Sequence, residues 1–240
     1  MLLMPSCKKE SETIMASILL TATKDTMVDE GNPTDINGTD NLILVGYWDD
    51  AQHFIAGGFP FTNIPSKAII TKATLRVYRS NFFPADDYNG NPVTEMDFYV
   101  KAVTGAWGEA TTNWNNKPAV TASNQVTWNI TPAIVGTVKI EKDITTLFAY
   151  MFANSYDSVQ MQIKVEAHTE TFLYAFCREA GESGGLSRVT EILVEYELPS
   201  KVNVGDVWKP ASNIKVNVGD AWKPASGMKV NIGDVWKEVF

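Results

Sequence analysis

The chain has 240 residues, of which 45% are hydrophobic and 20% charged, so it is long and apolar enough to bury a core. Its 20 Lys and Arg against 28 Asp and Glu give a net charge of −8, which disfavours nucleic acid as a partner. Two cysteines and two histidines are too few for a disulfide framework or for most histidine-based catalysis. No apolar run approaches the ~20 residues that a membrane-spanning helix needs. The composition therefore indicates a folded, non-catalytic protein.

The first residues, 1–12, are predicted to be an unstructured leader or extension. MLLMPSC followed by KKESE has the small residues, the cysteine and the charge of a bacterial lipoprotein signal. Its apolar part is shorter than the ~7–15 residues of a signal-peptide core, and no basic segment precedes it. Two interpretations stay open: the product starts at Met15, or Cys7 is lipidated.

Residues 13–198 read as one β-rich domain, because short apolar runs alternate with turn residues. The predicted strands are 17–23, 41–48, 53–61, 68–79, 96–103, 125–131, 159–167, 170–177 and 189–197. One segment, 143–155, has apolar residues at helical spacing from Leu147 and predicts a short helix with Asp143 as its N-cap. Many short strands with one helix predict a mainly β fold, an antiparallel β-sandwich of the jelly-roll type.

Two strands show informative patterns of side chains. In 73–79, Ala73, Leu75, Val77 and Arg79 alternate with polar residues and Tyr78, which predicts one buried and one solvated face. The run 172–177 is apolar on both sides, so it is predicted to be central in a sheet, with Cys177 as a buried thiol.

The last segment, 199–240, is predicted to be a separate region of three 14-residue repeats. The repeats align three tryptophans: Trp208, Trp222 and Trp236. Each V-N-V-G-D-V-W unit predicts a β-hairpin with a type II′ turn at its glycine, which places Val204 opposite Val207. The tail is interpreted either as a docking or oligomerising element, with a trimer favoured, or as a small self-contained β-appendage.

Four segments carry a resemblance to a known family: 59–79, 107–118, 128–131 and 176–197. In order along the chain they resemble DNRLRE-type domains. The most specific of the four is W-x-E-x-x-T-x-W-N-x-x-P in segment 107–118. Segment 128–131 adds one more tryptophan. The residues at these motif positions are Trp107, Glu109, Trp114, Asn115, Pro118 and Trp128.

The resemblance implies a non-catalytic, often carbohydrate-binding β-sandwich. Such domains are attached to secreted bacterial polysaccharide-acting enzymes and cell-surface proteins, and they also occur in phage structural proteins. The tail repeats resemble those at the C-termini of phage structural proteins. The motif tryptophans are assigned to packing, since aromatic residues beside Asn and Pro usually hold a loop in place.

Sugars are bound by aromatic faces together with carboxylates and amides that bond their hydroxyl groups. Two segments offer that mixture, one at a strand end and one in a loop with an Asn-Gly turn. The candidate carbohydrate-binding residues are Tyr47, Trp48, Asp49, Asp50, Asp87 and Tyr88. The alternative is that Trp48 is a buried anchor and the acids are solvated loop charges.

No cofactor is expected, although a structural calcium ion is considered. Asp35, Asn37 and Asp40 place oxygen ligands around a glycine, as in hard-cation loops, but a plain Asx turn explains the pattern equally well. Glu166, His168 and Glu170 fall on one side of a predicted strand, either as a ligand trio or as a surface ladder.

Two functional hypotheses follow. The first is a non-catalytic phage virion structural or adhesion protein, a head or tail decoration or fibre. It would present its sandwich to surface glycans, with other virion proteins or further copies of itself as partners. The alternative is a secreted or lipid-anchored carbohydrate-binding protein on a bacterial outer surface. An enzyme such as a polysaccharide lyase has only scattered acidic residues in its favour.

Overall fold

The structure is a computed structural model that describes residues 14–40, 42–48, 50–79, 96–131, 138–164, 171–176, 182–183, 186–187 and 189–198, and the backbone of the tail strands. Several predicted features lie outside the described residues: the leader 1–12, Asp49, Asp87, Tyr88, Cys177 and the trio Glu166, His168 and Glu170. Within the described part of the chain, no helix has the length and apolar character needed to cross a membrane.

The body consists of short strands and one α-helix. Its longer strands are β1 (Ile14–Thr21), β2 (Lys24–Asp29), β3 (Leu42–Trp48), β4 (Asp50–Gly57), β5 (Ile69–Arg79), β6 (Met96–Ala102), β7 (Val126–Ile130), β8 (Val138–Asp143), β9 (Val159–Ile163), β10 (Thr171–Phe176) and β13 (Glu191–Leu198). Two strands of two residues each, β11 (Glu182–Ser183) and β12 (Leu186–Ser187), pair with each other. The helix is α1 (Thr145–Asn154), and η1 (Phe61–Asn63) and η2 (Trp114–Asn116) are single 3₁₀ turns.

The strands form an antiparallel β-sandwich with one short helix, as predicted. Their hydrogen-bonding order is β1-β13-β5-β10-β3-β4-β9-β6-β7, with β2 also on β4 and β8 also on β5. The order passes from one sheet to the other at β4, which pairs with β3 at 50–52 and with β9 at 54–56. One sheet therefore holds β2, β4, β9, β6 and β7, and the other holds β1, β13, β5, β8, β10 and β3.

Alternating residues of both sheets build the core. In β6, Phe98 and Val100 are fully buried, and Val100 lies opposite the buried Met161 of β9. In β5 the predicted inward face is confirmed, since Leu75 and Val77 are fully buried. Burial of such side chains contributes about 1.5–3 kcal/mol each to stability.

Arg79 ends that inward face and is 0% exposed. Desolvation by burial lowers the pKa of its guanidinium. The run 172–177 was predicted to be central in a sheet, and β10 indeed lies between β3 and β5.

Helix α1 matches the predicted helical segment and packs through Leu147, Phe148 and Met151. The N-cap prediction was wrong by one residue, because Ile144 occupies that position. Asp143 nevertheless serves the helix start: its Oδ1 accepts hydrogen bonds from the Thr145 backbone N–H at 2.9 Å and from its hydroxyl at 2.7 Å.

Three strand predictions need correction. No strand was predicted at Lys24–Asp29 or Val138–Asp143, where β2 and β8 lie. The strand predicted over 53–61 begins earlier, at Asp50, and ends at Gly57, where the chain turns into η1. Gly58 accounts for this ending, since its φ of 68° is a left-handed conformation that does not continue a strand.

The chain divides into two compact units. The larger comprises 17–64 and 70–195, and the other comprises 1–16, 65–69 and 196–240. The predicted boundaries after residues 12 and 198 stay predictions.

The tail within the second unit contains three two-stranded sheets, all antiparallel. They pair β14 (Lys201–Val204) with β15 (Val207–Pro210), β16 (Lys215–Val218) with β17 (Ala221–Pro224), and β18 (Lys229–Ile232) with β19 (Val235–Glu238). The register is the predicted one, with Val204 opposite Val207 and the same offset in each repeat. The predicted turn at Gly205 lies outside the described residues.

Candidate functional site

The motif segment between β6 and β7 covers one outer face of the sandwich. Val28 of β2, Ile55 of β4 and Val103 form a buried cluster on the side of the sheet opposite Phe54. Two motif tryptophans pack against this cluster: Trp107 and Trp114. β4 is consequently buried on both faces, by the interlayer core on one side and by the motif segment on the other.

Trp107 is held by several contacts. Its indole Nε1–H donates to Ser158 Oγ at 3.0 Å, and its carbonyl accepts from Lys24 Nζ at 3.1 Å. The same Lys24 ammonium lies 4.2 Å from the centroid of the indole ring, a cation–π contact. Trp107 thus anchors the motif segment to β2 and to the residue that precedes β9.

Glu109 binds the edge of β2 that does not pair with β4. β2 pairs with β4 on one side, and on the other side the Asp25 backbone N–H donates to Glu109 Oε1 at 2.9 Å. Asp25 is fully buried, so the carboxylate meets a donor that water does not reach. The glutamate of the motif therefore supports the fold at this edge.

The second half of the motif forms a capped turn. Asn113 and Asn116 bond each other's backbone in a reciprocal capping box around η2, and the Asn116 amide also donates to the Thr111 carbonyl at 2.8 Å. The centroids of the Trp114 and His53 rings are 5.0 Å apart. Lys117 Nζ lies 2.8 Å from the centroid of the Trp114 ring.

The other motif residues have backbone and packing contacts. The Asn115 backbone N–H donates to the Pro33 carbonyl at 3.3 Å. Pro118 is buried, and Trp128 of β7, which is 5% exposed, lies opposite Phe98 in the core.

The candidate carbohydrate residues at the end of β3 are brought together only in part. Tyr47 is half-buried and lies opposite Ala51, and the backbone of Trp48 pairs with Asp50. The Asp50 carboxylate lies close against Gly31 of the neighbouring loop. The Trp48 side chain lies outside the described residues, as do those of Trp208, Trp222 and Trp236 in the tail. The binding role of all these residues stays a prediction.

The loop with the candidate calcium ligands is a series of turns. The Asp35 N–H donates to the Asn32 carbonyl at 3.0 Å, and the Asp40 N–H to that of Asn37 at 3.4 Å. The Asn37 side-chain amide donates to the Met27 carbonyl at 3.3 Å. Among the described residues, no three His, Cys, Asp or Glu side chains are grouped so that they could hold a metal ion. The calcium site stays a prediction.

A polar surface that was not predicted lies on β9, β6 and β7. Tyr99 of β6 is half-buried and has Gln162 of β9 and Thr127 of β7 as its cross-strand neighbours. We call this surface the Tyr99 face. Its residues are Asp97, Tyr99, Lys101, Thr127, Asn129, Gln162 and Lys164.

One end of the Tyr99 face is an ordered charged group. Asp97 accepts hydrogen bonds from the Asn129 amide at 3.0 Å and from Lys164 Nζ at 3.3 Å. Both bonds, first that of Asn129, lower the pKa of Asp97, so its carboxylate is ionised at neutral pH. At the other end, Lys101 Nζ lies 5.3 Å from the centroid of the Tyr99 ring.

The outer face of β5 and β8 in the other sheet has a different character. The Glu141 carboxylate forms ion pairs with Arg76, 2.9 Å from Nε, and with Lys139, 3.3 Å from Nζ. Tyr78 is half-buried on this face opposite Lys139. Here the charged groups satisfy each other around an aromatic residue, whereas neutral amides and a hydroxyl flank Tyr99.

Similarity to a known protein family identifies the class to which this protein belongs. The matching model describes carbohydrate-binding modules, and its match to residues 16–182 runs from within β1 to the first residue of β11. The chain belongs to carbohydrate-binding module family 96. No curated protein matches it.

Proposed function

We propose that the protein captures a polysaccharide without cleaving it, and that the Tyr99 face contacts the glycan. Sugar rings present an apolar face that packs on an aromatic ring and hydroxyl groups that need hydrogen-bond partners at their rims. Tyr99 supplies the ring, and Gln162 and Thr127 supply amide and hydroxyl groups on its two sides. Membership in a carbohydrate-binding family supports the ligand class.

The dimensions of the Tyr99 face favour a chain of sugars over a single one. From Asp97 to Lys101 the strand advances four residues, which is about 13 Å, and three strands span about 10 Å between the outer two. The polar groups lie along this length on the outer strand surface. An extended oligosaccharide can therefore lie across the face with successive rings and hydroxyls in contact.

Tyr99→Ala tests the proposal. A glycan array first selects the polysaccharide, and calorimetry with that polysaccharide then compares variants. Loss of the ring is expected to weaken binding about tenfold, which corresponds to about 1.4 kcal/mol. Tyr78→Ala is the matched control, because Tyr78 is a half-buried tyrosine of the other sheet with a lysine opposite. Unchanged affinity in Tyr99→Ala, or an equal loss in Tyr78→Ala, would contradict the assignment.

The non-catalytic part of the proposal has a separate test. Incubation of the protein with the selected polysaccharide is expected to release neither new reducing ends nor unsaturated ends over hours. Turnover that survives purification and is lost on substitution of a residue of the described body would show an enzyme instead.

We further propose that the protein is a phage virion component, a head or tail decoration or fibre, mounted through residues 199–240 on other virion proteins or on copies of itself. The support is the threefold repeat, in which each unit pairs its strands in the same register. Two-stranded hairpins are marginally stable alone, so such units gain from a partner. Deletion of 199–240 is expected to change the mass measured by light scattering, from a trimer to a monomer, without unfolding the body. An unchanged mass would argue against oligomerisation through the tail.

The alternative is a secreted or lipid-anchored protein of a bacterial outer surface. Mass spectrometry of the native protein distinguishes the two locations: a lipidated Cys7 supports the surface protein, and an unmodified chain found in purified particles supports the virion.

A further inference from the structure

A buried chain of polar side chains lies beneath the Tyr99 face. Gln160 of β9 is 2% exposed, and its amide nitrogen lies 3.0 Å from Gln162 Oε1 and 3.3 Å from His53 Nδ1. His53 of β4 is itself 5% exposed and is covered by the Trp114 ring. The motif segment thus covers the His53 end of this row of polar side chains, and Gln162 forms its other end at the surface.

The placement of the Gln160 amide nitrogen between its two neighbours sets the direction of the hydrogen bonds in this group of side chains. A primary amide nitrogen carries two hydrogens and accepts none, so both hydrogens of Gln160 are used by its two neighbours. His53 Nδ1 must then be an acceptor, and the carbonyl oxygen of Gln162 must point inward. The group that Gln162 presents outward, beside Tyr99, is its amide nitrogen, a hydrogen-bond donor.

We propose that Gln160 is a positioning residue that sets the specificity of the glycan surface by fixing Gln162 as a donor. This inference rests on the proposed function and names the chemistry of one subsite. The subsite beside Tyr99 takes an oxygen of the sugar that accepts a hydrogen bond, such as a ring, glycosidic or hydroxyl oxygen. It disfavours a sugar whose group at that position can only donate, such as a protonated amine.

The same valence argument predicts what reverses the subsite. In Gln160→Glu an ionised carboxylate only accepts, so it requires a hydrogen on His53 Nδ1 and the amide nitrogen of Gln162 turned inward. The outward atom of Gln162 then becomes its carbonyl oxygen. Lys101, the strand neighbour of Gln160, and Lys117, which lies over Trp114, are cations near these side chains. Both remain in the variant.

The experiment follows the side-chain amide of Gln162 by NMR in the full chain, first without glycan. In Gln160→Glu, the Gln162 NH₂ signals are expected to become protected from exchange with water, because the group turns inward. With the polysaccharide selected on the array, the affinity is expected to fall about tenfold, although residue 160 is buried. Gln162 NH₂ signals and an affinity that both match the wild type would overturn the inference.

A second variant keeps the test valid if the buried substitution impairs folding. Gln162→Glu retains an oxygen toward Gln160 but offers no outward donor, and the position is half-buried, so the fold is expected to persist. Its affinity is expected to fall about tenfold. Asn63→Asp adds the same charge at an exposed position of η1 and is expected to bind like the wild type. Equal affinity of Gln162→Glu and wild type would overturn the inference. If the wild type itself binds no glycan, the proposed function is refuted. The orientation of Gln162 is still tested in that case, because its amide signals are measured without ligand.

Discussion

Glu109 provides the sharpest test of how the motif segment works. Its carboxylate accepts the backbone N–H of Asp25 at 2.9 Å, where the donor belongs to a fully buried residue at the edge of β2. Glu109→Ala removes the acceptor and leaves that N–H without this partner. Glu109→Gln keeps an oxygen at nearly the same place but removes the charge, so it serves as the matched variant.

The expected cost follows from the type of bond. A hydrogen bond to a charged group contributes about 1.5–3 kcal/mol, and a neutral one about 0.5–1.5 kcal/mol. We therefore expect Glu109→Ala to lower the free energy of unfolding by about 2 kcal/mol, and Glu109→Gln by about half as much. For a domain of this size, 2 kcal/mol corresponds to a fall of about 4–8 °C in Tm.

The assay combines urea denaturation and thermal melting with glycan titration of the same preparations. Stability is expected to fall in the order wild type, Gln, Ala, while the affinity of the folded protein stays within about twofold, or about 0.4 kcal/mol, of wild type. If Glu109→Ala keeps its stability but loses glycan binding, the carboxylate belongs to a ligand site and the structural interpretation of the motif is wrong.

Three further predictions concern single positions. Gly57→Ala places a Cβ against the Ser158 side chain, so overpacking is expected to lower the free energy of unfolding by about 1–3 kcal/mol in urea denaturation. Asp143→Ala removes the acceptor at the start of α1 and is expected to cost about 1 kcal/mol by the same measurement, with Asp143→Asn close to wild type. The lowered pKa of Asp97 means that its bonds stabilise the fold above the unfolded pKa of about 3.9 and that this contribution is lost as the pH falls through the lower folded value. Asp97→Asn should therefore differ from wild type at pH 6, and the difference should shrink as the pH falls below about 3.9 in denaturation curves; a constant difference would contradict this.

The sequence predicted the fold well where apolar residues alternate and less well where charges occupy a strand. β5 and β6 show clear alternation, and the helix shows its own period, so their positions were predictable. β8 reads VKIEKD, in which four of six residues are charged, and it lies on β5 beside an outer face of ion pairs. β2 reads KDTMVD, and its polar Asp25 and Thr26 are buried because neighbouring groups bond their backbone. Local polarity alone predicts a loop for both segments.

The candidate surface could not be predicted from any one strand, because its character depends on what covers the sheet. On the outer side of β2 and β4, Val28 and Ile55 are apolar, and the motif segment buries them. On the same side of β9, β6 and β7, the residues of the Tyr99 face are polar. The change occurs at the buried pair of His53 and Gln160, which are 107 positions apart in the sequence and meet only through the pairing of β4 with β9. In the sequence, the polar residues flanking Tyr99 look like an ordinary solvated face. They become a candidate binding surface because, among the described residues, the segment between β6 and β7 packs over β4 and β2 and not over the outer face of its own two strands.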